Sequence, residues 1–274
     1  MVTAMLDRIV VKPGHEAGFA KRDPGDTLGL EKDAVERELP KLRERVDEFQ
    51  YLLFAESRRS VVLVLQGLDA SGKDGVVRGV FDGVNPQSVE VTSFRAPAGA
   101  EREHDYLWRI HAALPPHGKL GVFNRSHYED VVAVRMLDLF PKSVWGKRPG
   151  HINDFERMLA DEGTTLVKVF LHVSKKEQAA RLQERIDDPR KRWKFRKDDL
   201  KVHDRYDDYM AAYEAVIGET STEWAPWHVV PADRNWVKSY CVASLVVQAL
   251  EKLSPKLPDP EPGIEGLRVA VTGD

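Results

Sequence analysis

Gly67-Leu68-Asp69-Ala70-Ser71-Gly72-Lys73-Asp74, preceded by Val61-Val62-Leu63-Val64-Leu65, decides how this 274-residue chain is read. The apolar run is short, β-branched and uninterrupted, the pattern of a strand buried on both faces. Beyond the loop, Val76, Val77, Val80 and Phe81 recur at helical spacing. Strand, glycine-rich loop and helix together form the context of a phosphate-binding P-loop. Its glycines let backbone N–H groups converge on phosphate oxygens, the helix N-terminus adds positive potential, and Lys73 supplies a full charge. Gly67, Ala70, Ser71, Gly72, Lys73 and Asp74 are therefore the expected phosphate contacts.

One departure from the usual loop carries its own information. The position after the lysine commonly holds Ser or Thr, whose hydroxyl helps to bind Mg²⁺. Here it is Asp74, and a second carboxylate, Asp69, lies inside the loop. Acids in a cradle built for anions repel phosphate unless a cation lies between them. Mg²⁺ suits carboxylate, water and phosphate oxygens, with Mn²⁺ as the alternative. Asp69 is expected to bind metal or position the acceptor. Asp74 has a plainer alternative as a first-turn acid favoured by the helix dipole.

The formal charge of −3 argues against a globally basic nucleic-acid protein, so any anion site must be local. Cys241 is the only cysteine, which excludes an intrachain disulfide and favours a reducing compartment. Asp7, Arg8 and Lys12 interrupt the N-terminal apolar residues, so a signal-peptide core is not expected. No apolar run approaches the roughly 20 residues of a membrane helix. A cytoplasmic protein without membrane contact is the expectation.

Residues 1–29 are polar and turn-rich and read as an N-terminal arm over the surface; residues 30–255 read as the main domain, and 256–274 as a C-terminal tail. A helix is expected from about Leu30 to Ser57, bent or restarted at Pro40. Further strands are expected at Val89–Ser93, Lys119–Phe123, Thr165–Leu171 and Trp227–Val230. Helices are expected at His104–Ala113, around His127–Leu139, and at Ile152–Asp161, Lys175–Ile186 and Asn235–Leu253. This alternation predicts an α/β fold with a parallel central sheet between two helical layers. The amphipathic stripes leave open whether they are buried within one subunit or across a homo-oligomer interface.

A second site is expected where Leu120–Phe123 runs into Asn124-Arg125-Ser126-His127-Tyr128-Glu129-Asp130. Open α/β sheets place ligands at such strand ends, and related folds end this strand in a metal-associated acid. Asn124 occupies that position, so the charge must come from elsewhere, and Glu129 and Asp130, within about a turn of helix, could supply it. Arg125 reads as a phosphate clamp. Ser126 and Glu129 have an alternative as an ordinary capping box.

From Arg181 to Lys201, nine Lys/Arg face five Asp/Glu. A solvated helix is the common explanation of such a run. Its place after a late strand suggests a mobile lid over about 181–201, with a helix restarting at Asp188-Pro189. Arg185, Arg190, Lys191, Arg192 and Lys194 exceed what one triphosphate needs and suit a longer polyanion.

Gly67–Gly75, Phe123–Asp130 and Glu184–Phe195 together resemble family 2 of the polyphosphate kinases, including its Asp after the loop lysine. The similarity extends to Asp105–Arg109, His151–Glu156 and Val230–Arg234, most of the chain from 30 to 255. It implies a P-loop kinase-like three-layer α/β/α sandwich with a helical lid. It also implies Mg²⁺-dependent transfer of a phosphoryl group from inorganic polyphosphate to a nucleotide. Many members carry Asp-Arg-Ser-Trp-Tyr-Asn where this chain has Asn124–Glu129. The form with Asn and Glu resembles the subgroup taking both AMP and ADP.

On this reading, Asp69, Lys73, Arg125 and Glu129 are the catalytic set, with Asp69 and Glu129 toward the metal. Arg95, Asp105, Asn124, Glu129, Asp233 and Arg234 are acceptor-side candidates. A surface ion pair is the alternative for Arg95 and Asp105, and helix capping for Asp233-Arg234. Trp108 is expected in the core. Two competitors make different demands. An ATP-dependent nucleotide kinase of the thymidylate kinase type would carry Ser or Thr at 74. A non-catalytic P-loop protein binding nucleic acid would show steep salt dependence and leave Asp69 and Glu129 without work.

Overall fold

In the computed structural model, residues 2–269 are described. The chain begins with α1 (Val2–Ile9), β1 (Val10–Val11), α2 (Lys32–Glu56), β2 (Ser60–Gln66), α3 (Lys73–Phe81) and β3 (Val89–Ser93). It continues through α4 (Trp108–Ala112), β4 (Leu120–Asn124), α5 (Glu129–Met136), α6 (Lys142–Trp145) and α7 (Arg148–Asp161). The rest is β5 (Thr164–His172), α8 (Lys175–Asp187), α9 (Lys197–Asp204), α10 (Tyr206–Thr220), β6 (Trp227–Pro231) and α11 (Asn235–Leu253).

The strands form one sheet in the order β1-β6-β5-β2-β4-β3. The pairs β6–β5, β5–β2, β2–β4 and β4–β3 are parallel, as expected. The edge strand β1 corrects the expectation of a wholly parallel sheet: it pairs antiparallel with β6. Alternation along β2 explains its uninterrupted apolar run. Val61, Leu63 and Leu65 enter the layer of α1, α2, α3 and α11, while Val62 and Val64 enter that of α4, α5, α7 and α10. A strand covered on both faces has no solvent side to mark with polar residues.

The N-terminal segment is more than a surface arm. Met5, Leu6, Ile9 and Val11 are buried, and Phe19 stacks on Phe170 with centroids 4.9 Å apart. The charges between these apolar residues face outward and hid the amphipathic turn. Of the tail, residues 256–269 are exposed and carry neither helix nor strand, and 270–274 lie outside the described residues.

Three further details of the helices stand out, the first set by core packing and the other two by local polar chemistry. The α2 helix runs unbroken through Pro40, held by Val35, Leu42, Val46 and Leu53 in the core. The helix expected from His104 starts only at Trp108, because the Asp105 carboxylate accepts from Leu107 N (2.9 Å) and closes a turn first. Trp108 itself is 42% exposed, stacked on His104 rather than in the core. No α-helix restarts at Pro189: Asp188 accepts from the Arg190 backbone and guanidinium, leaving a 3₁₀ turn at Arg192–Lys194.

Candidate active site

Sheet register brings the two motifs together. Leu65 of β2 lies opposite Asn124 of β4, so the loop after Gln66 and the segment after Asn124 leave the same sheet edge as neighbours. Both chains turn sharply there. Ala70 (φ 66°) and Arg125 (φ 64°) take the left-handed conformation that costs a non-glycine residue energy, as does Gly72 (φ 96°) at no such cost.

These turns roll the loop peptides so that carbonyls face the protein. Lys73 Nζ donates to Gly67 O (2.7 Å) and Leu68 O (3.2 Å), folded back against its own loop. The N–H groups of Asp69, Ala70, Gly72 and Lys73 meet no acceptor among the described residues. Burial, reinforced by the Arg125 charge, pushes the Lys73 amine down to about 8.

The Arg125 guanidinium donates to the Asp69 carboxylate. Burial by itself would raise the Asp69 pKa, but the Arg125 and Lys73 charges outweigh it and hold the group ionised. Glu129 behaves oppositely: burial pushes its pKa up against the pull of Arg125 and Lys73. Gln66, in the amide orientation that satisfies its neighbours, donates to Glu129 Oε1 (2.9 Å) and accepts from Ser126 N (3.0 Å). Ser126 makes no capping box; α5 starts three residues later, at Glu129. Asp130 is committed elsewhere, since Arg109 Nη2 donates to it at 2.9 Å in the interior. His127 and Tyr128 point into the core, where Tyr128 Oη donates to Glu156 (2.7 Å) and Lys168 Nζ reaches the same carboxylate (2.6 Å).

Asp74 stands at the mouth with its side chain 68% exposed. Asn124 Nδ2 donates to its Oδ1 (2.8 Å), and Lys194 Nζ reaches its Oδ2 at 3.3 Å. Lys194 is thus the basic-segment residue that touches the phosphate loop's acid. Arg185 pairs with Asp199 at 3.4 Å. Arg190, Lys191 and Arg192 are occupied by Asp188, Glu184 and the Ile186 carbonyl of their own segment.

The outer acceptor candidates separate. Asn124 and Glu129 lie at the junction, whereas Arg95 and Asp105 are exposed and form no ion pair with each other among the described residues. Asp233 Oδ1 accepts from Ser174 N (2.7 Å) and Arg234 Nε donates to Gly25 O (3.3 Å), so both fasten loops. Sequence reasoning missed Gln66, Gln178, Arg181 and Lys238. Gln178 and Arg181 were visible only as part of a polar helix face, and Lys238 as one cation in an apolar helix.

Among the described residues, no group of three His, Cys, Asp or Glu side chains could by itself hold a metal ion. No helix there is long and apolar enough to cross a membrane.

The family model described as Polyphosphate kinase 2 (PPK2) matches residues 29–258. An AMP/ADP-polyphosphate phosphotransferase of Meiothermus ruber is 51% identical over 257 residues, 93% of this chain and 96% of that one. An ADP-polyphosphate phosphotransferase of Rhodopseudomonas palustris is 43% identical over 231 residues, covering 80% of each. The crystal structure of polyphosphate kinase 2 from Arthrobacter aurescens superposes with a TM-score of 0.90 at 40% identity, over 94% of this chain and 93% of that one. With its loop, second motif and sheet order in place, the chain belongs to the polyphosphate kinase 2 family.

Proposed function

We propose that this protein moves the terminal phosphoryl group of inorganic polyphosphate to AMP and ADP, giving ADP and ATP, with Mg²⁺. The observation that carries the reading is the loop whose N–H groups meet no acceptor among the described residues, with Asp69, Arg125 and Glu129 at the same sheet edge. Relatives named for transfer between polyphosphate and AMP or ADP supply the substrate class.

Phosphoryl transfer asks mainly for positioning and neutralisation of charge. The loop N–H groups and Lys73 bind the phosphate at the transfer point, and Arg125 clamps it from the β4 side. Asp69 and Glu129 hold the acceptor side, with Asn124 between them and Asp74. An acceptor phosphate is already ionised and needs no strong base. Arg185 and Lys194 close over the donor, and Arg190, Lys191 and Arg192 exchange their local partners for further phosphates of the chain.

The donor set fits Mg²⁺: oxygen ligands on separate elements, too few to cage the ion, leave room for phosphate and water. Asp69 and Glu129 would hold it, and when bound it neutralises charge on the transferring group. A reducing, cytoplasmic setting is supported by the single cysteine, Cys241, buried in α11.

The test incubates purified protein with polyphosphate and, separately, AMP, ADP, GMP and GDP, with Mg²⁺ or with EDTA, and resolves the nucleotides formed. Metal-dependent appearance of ADP from AMP and ATP from ADP is the expected result. No exchange with any nucleotide sinks the reading.

A further inference from the structure

Every carbonyl of the phosphate loop from Gly67 to Gly72 is accounted for. Gly67 O and Leu68 O accept from Lys73 Nζ, and Gly72 O accepts from Val76 N within α3. The remaining three are held from outside the motif. Gln178 Nε2 donates to Asp69 O (3.1 Å), and Arg181 Nη1 to Ala70 O (3.1 Å) and Ser71 O (3.0 Å). Lys238 Nζ, from α11, donates to Ser71 O at 3.2 Å.

Lys238 is 1% exposed on a helix most of whose buried residues are apolar core. A lysine in such a place costs desolvation unless its charge is used. Its ammonium lies so close behind the loop that a Cβ at position 72 would collide with Nζ. Any side chain at 72 would displace this ammonium from the loop, in addition to straining the positive φ there. Arg181, Glu177, Asp233 and Lys73 are the charged groups around it.

We propose that Lys238 is a positioning residue for donor binding: from behind the loop it holds the Ser71 carbonyl and thereby aims the Gly72 N–H at phosphate. In a trans peptide the C=O and N–H point in opposite directions, so anchoring Ser71 O on the buried side fixes the Gly72 N–H on the other. Burial, reinforced by the Arg181 charge, pushes the Lys238 amine down to about 7, so what it brings to the loop is the hydrogen bond to Ser71 O rather than a full positive charge. The proposal rests on the phosphate-loop reading above and extends it to a residue 165 positions away from Lys73 in the chain.

The experiment compares the parent protein with Lys238→Met and Lys238→Arg. Each is titrated calorimetrically with tripolyphosphate in EDTA, then assayed with Mg²⁺ for polyphosphate-dependent ATP formation from ADP. Loss of this donor predicts binding about tenfold weaker in Lys238→Met, with a matching rise in donor KM and an ADP KM within about twofold of the parent. Lys238→Arg, which donates to the same carbonyl, is expected to restore binding to within about threefold. A role in packing alone would lower the Tm of both variants and leave donor affinity intact. If Lys238→Met does not fold, Lys238→Gln takes its place against Lys238→Arg. Equal binding by parent and neutral variant, or an arginine variant no better than the neutral one, overturns the proposal alone. A parent that neither binds tripolyphosphate nor transfers phosphate overturns the functional reading and the proposal with it.

Discussion

The loop at 67–74 and the segment at 185–196 both carry cations, yet they are built in opposite ways. In the loop, buried and half-buried donors from α3, α8 and α11 hold every carbonyl from Gly67 to Gly72. In the outer segment, Arg190 is 90% exposed in its side chain and pairs with Asp188, two residues away. Exposed pairs of this kind are worth about 0–1 kcal/mol and exchange readily for a better partner. Loop geometry is thus fixed by the fold itself, while the outer cations are free to change partners. One region supplies precision and the other reach. Lys194, in contact with Asp74 at 3.3 Å, is where the two meet.

The sharpest way to break this contrast is to remove the loop's own charge. Lys73→Ala should lower kcat by about a thousandfold or more with an unchanged circular dichroism spectrum, as should Asp69→Asn. Near-normal turnover in either variant would mean that the rigid cradle is not the reacting centre.

The scaffold behind the loop should respond to acid in a way the outer segment does not. Burial pushes His172 down to about 4, against an ordinary value of 6.5. Above pH 6.5 the ring is neutral in both folded and unfolded chains. As pH falls toward 4 the unfolded chain takes up the proton and the folded one does not, so stability is lost in that window. Between pH 7 and pH 5 this amounts to about 2 kcal/mol. Urea denaturation at the two pH values, repeated with His172→Asn, should show the variant losing that much less. Equal losses would remove the ring from the account.

Replacing Arg190, Lys191 and Arg192 together with alanine sharpens the comparison from the other side. The expected result is a KM for long polyphosphate raised about tenfold, a smaller change for tripolyphosphate, and an unchanged Tm. An equal rise in the KM for ADP would contradict a polymer-binding cover. The smallest effect belongs to Glu129→Asn, which should shift the ratio of AMP to ADP use by about three- to fivefold with little change in polyphosphate KM. A constant ratio would take Glu129 out of acceptor selection.

Strand β2, the loop and α11 were legible because one requirement dominated each: burial on two faces, φ freedom for phosphate, and an apolar stripe. The helix start at Trp108 and the turn after Asp188 were not, because a single Asx carboxylate outcompeted helix propensity. The acceptor-side residues were legible only as types. Asp130, Asp233 and Arg234 look like site residues in the chain, and the structure adds to each a structural partner the chain does not show: Arg109, Ser174 N and Gly25 O.

Local chemistry alone marked a glycine-rich loop with its lysine at the end of a buried strand as the candidate phosphate site, since glycines, lysine and flanking periodicity are neighbours in sequence. Only the tertiary structure decided which distant groups serve that loop. Gln178, Arg181 and Lys238 come from helices more than 100 residues away. A donor's usefulness depends on where folding carries it, and no local pattern encodes that distance.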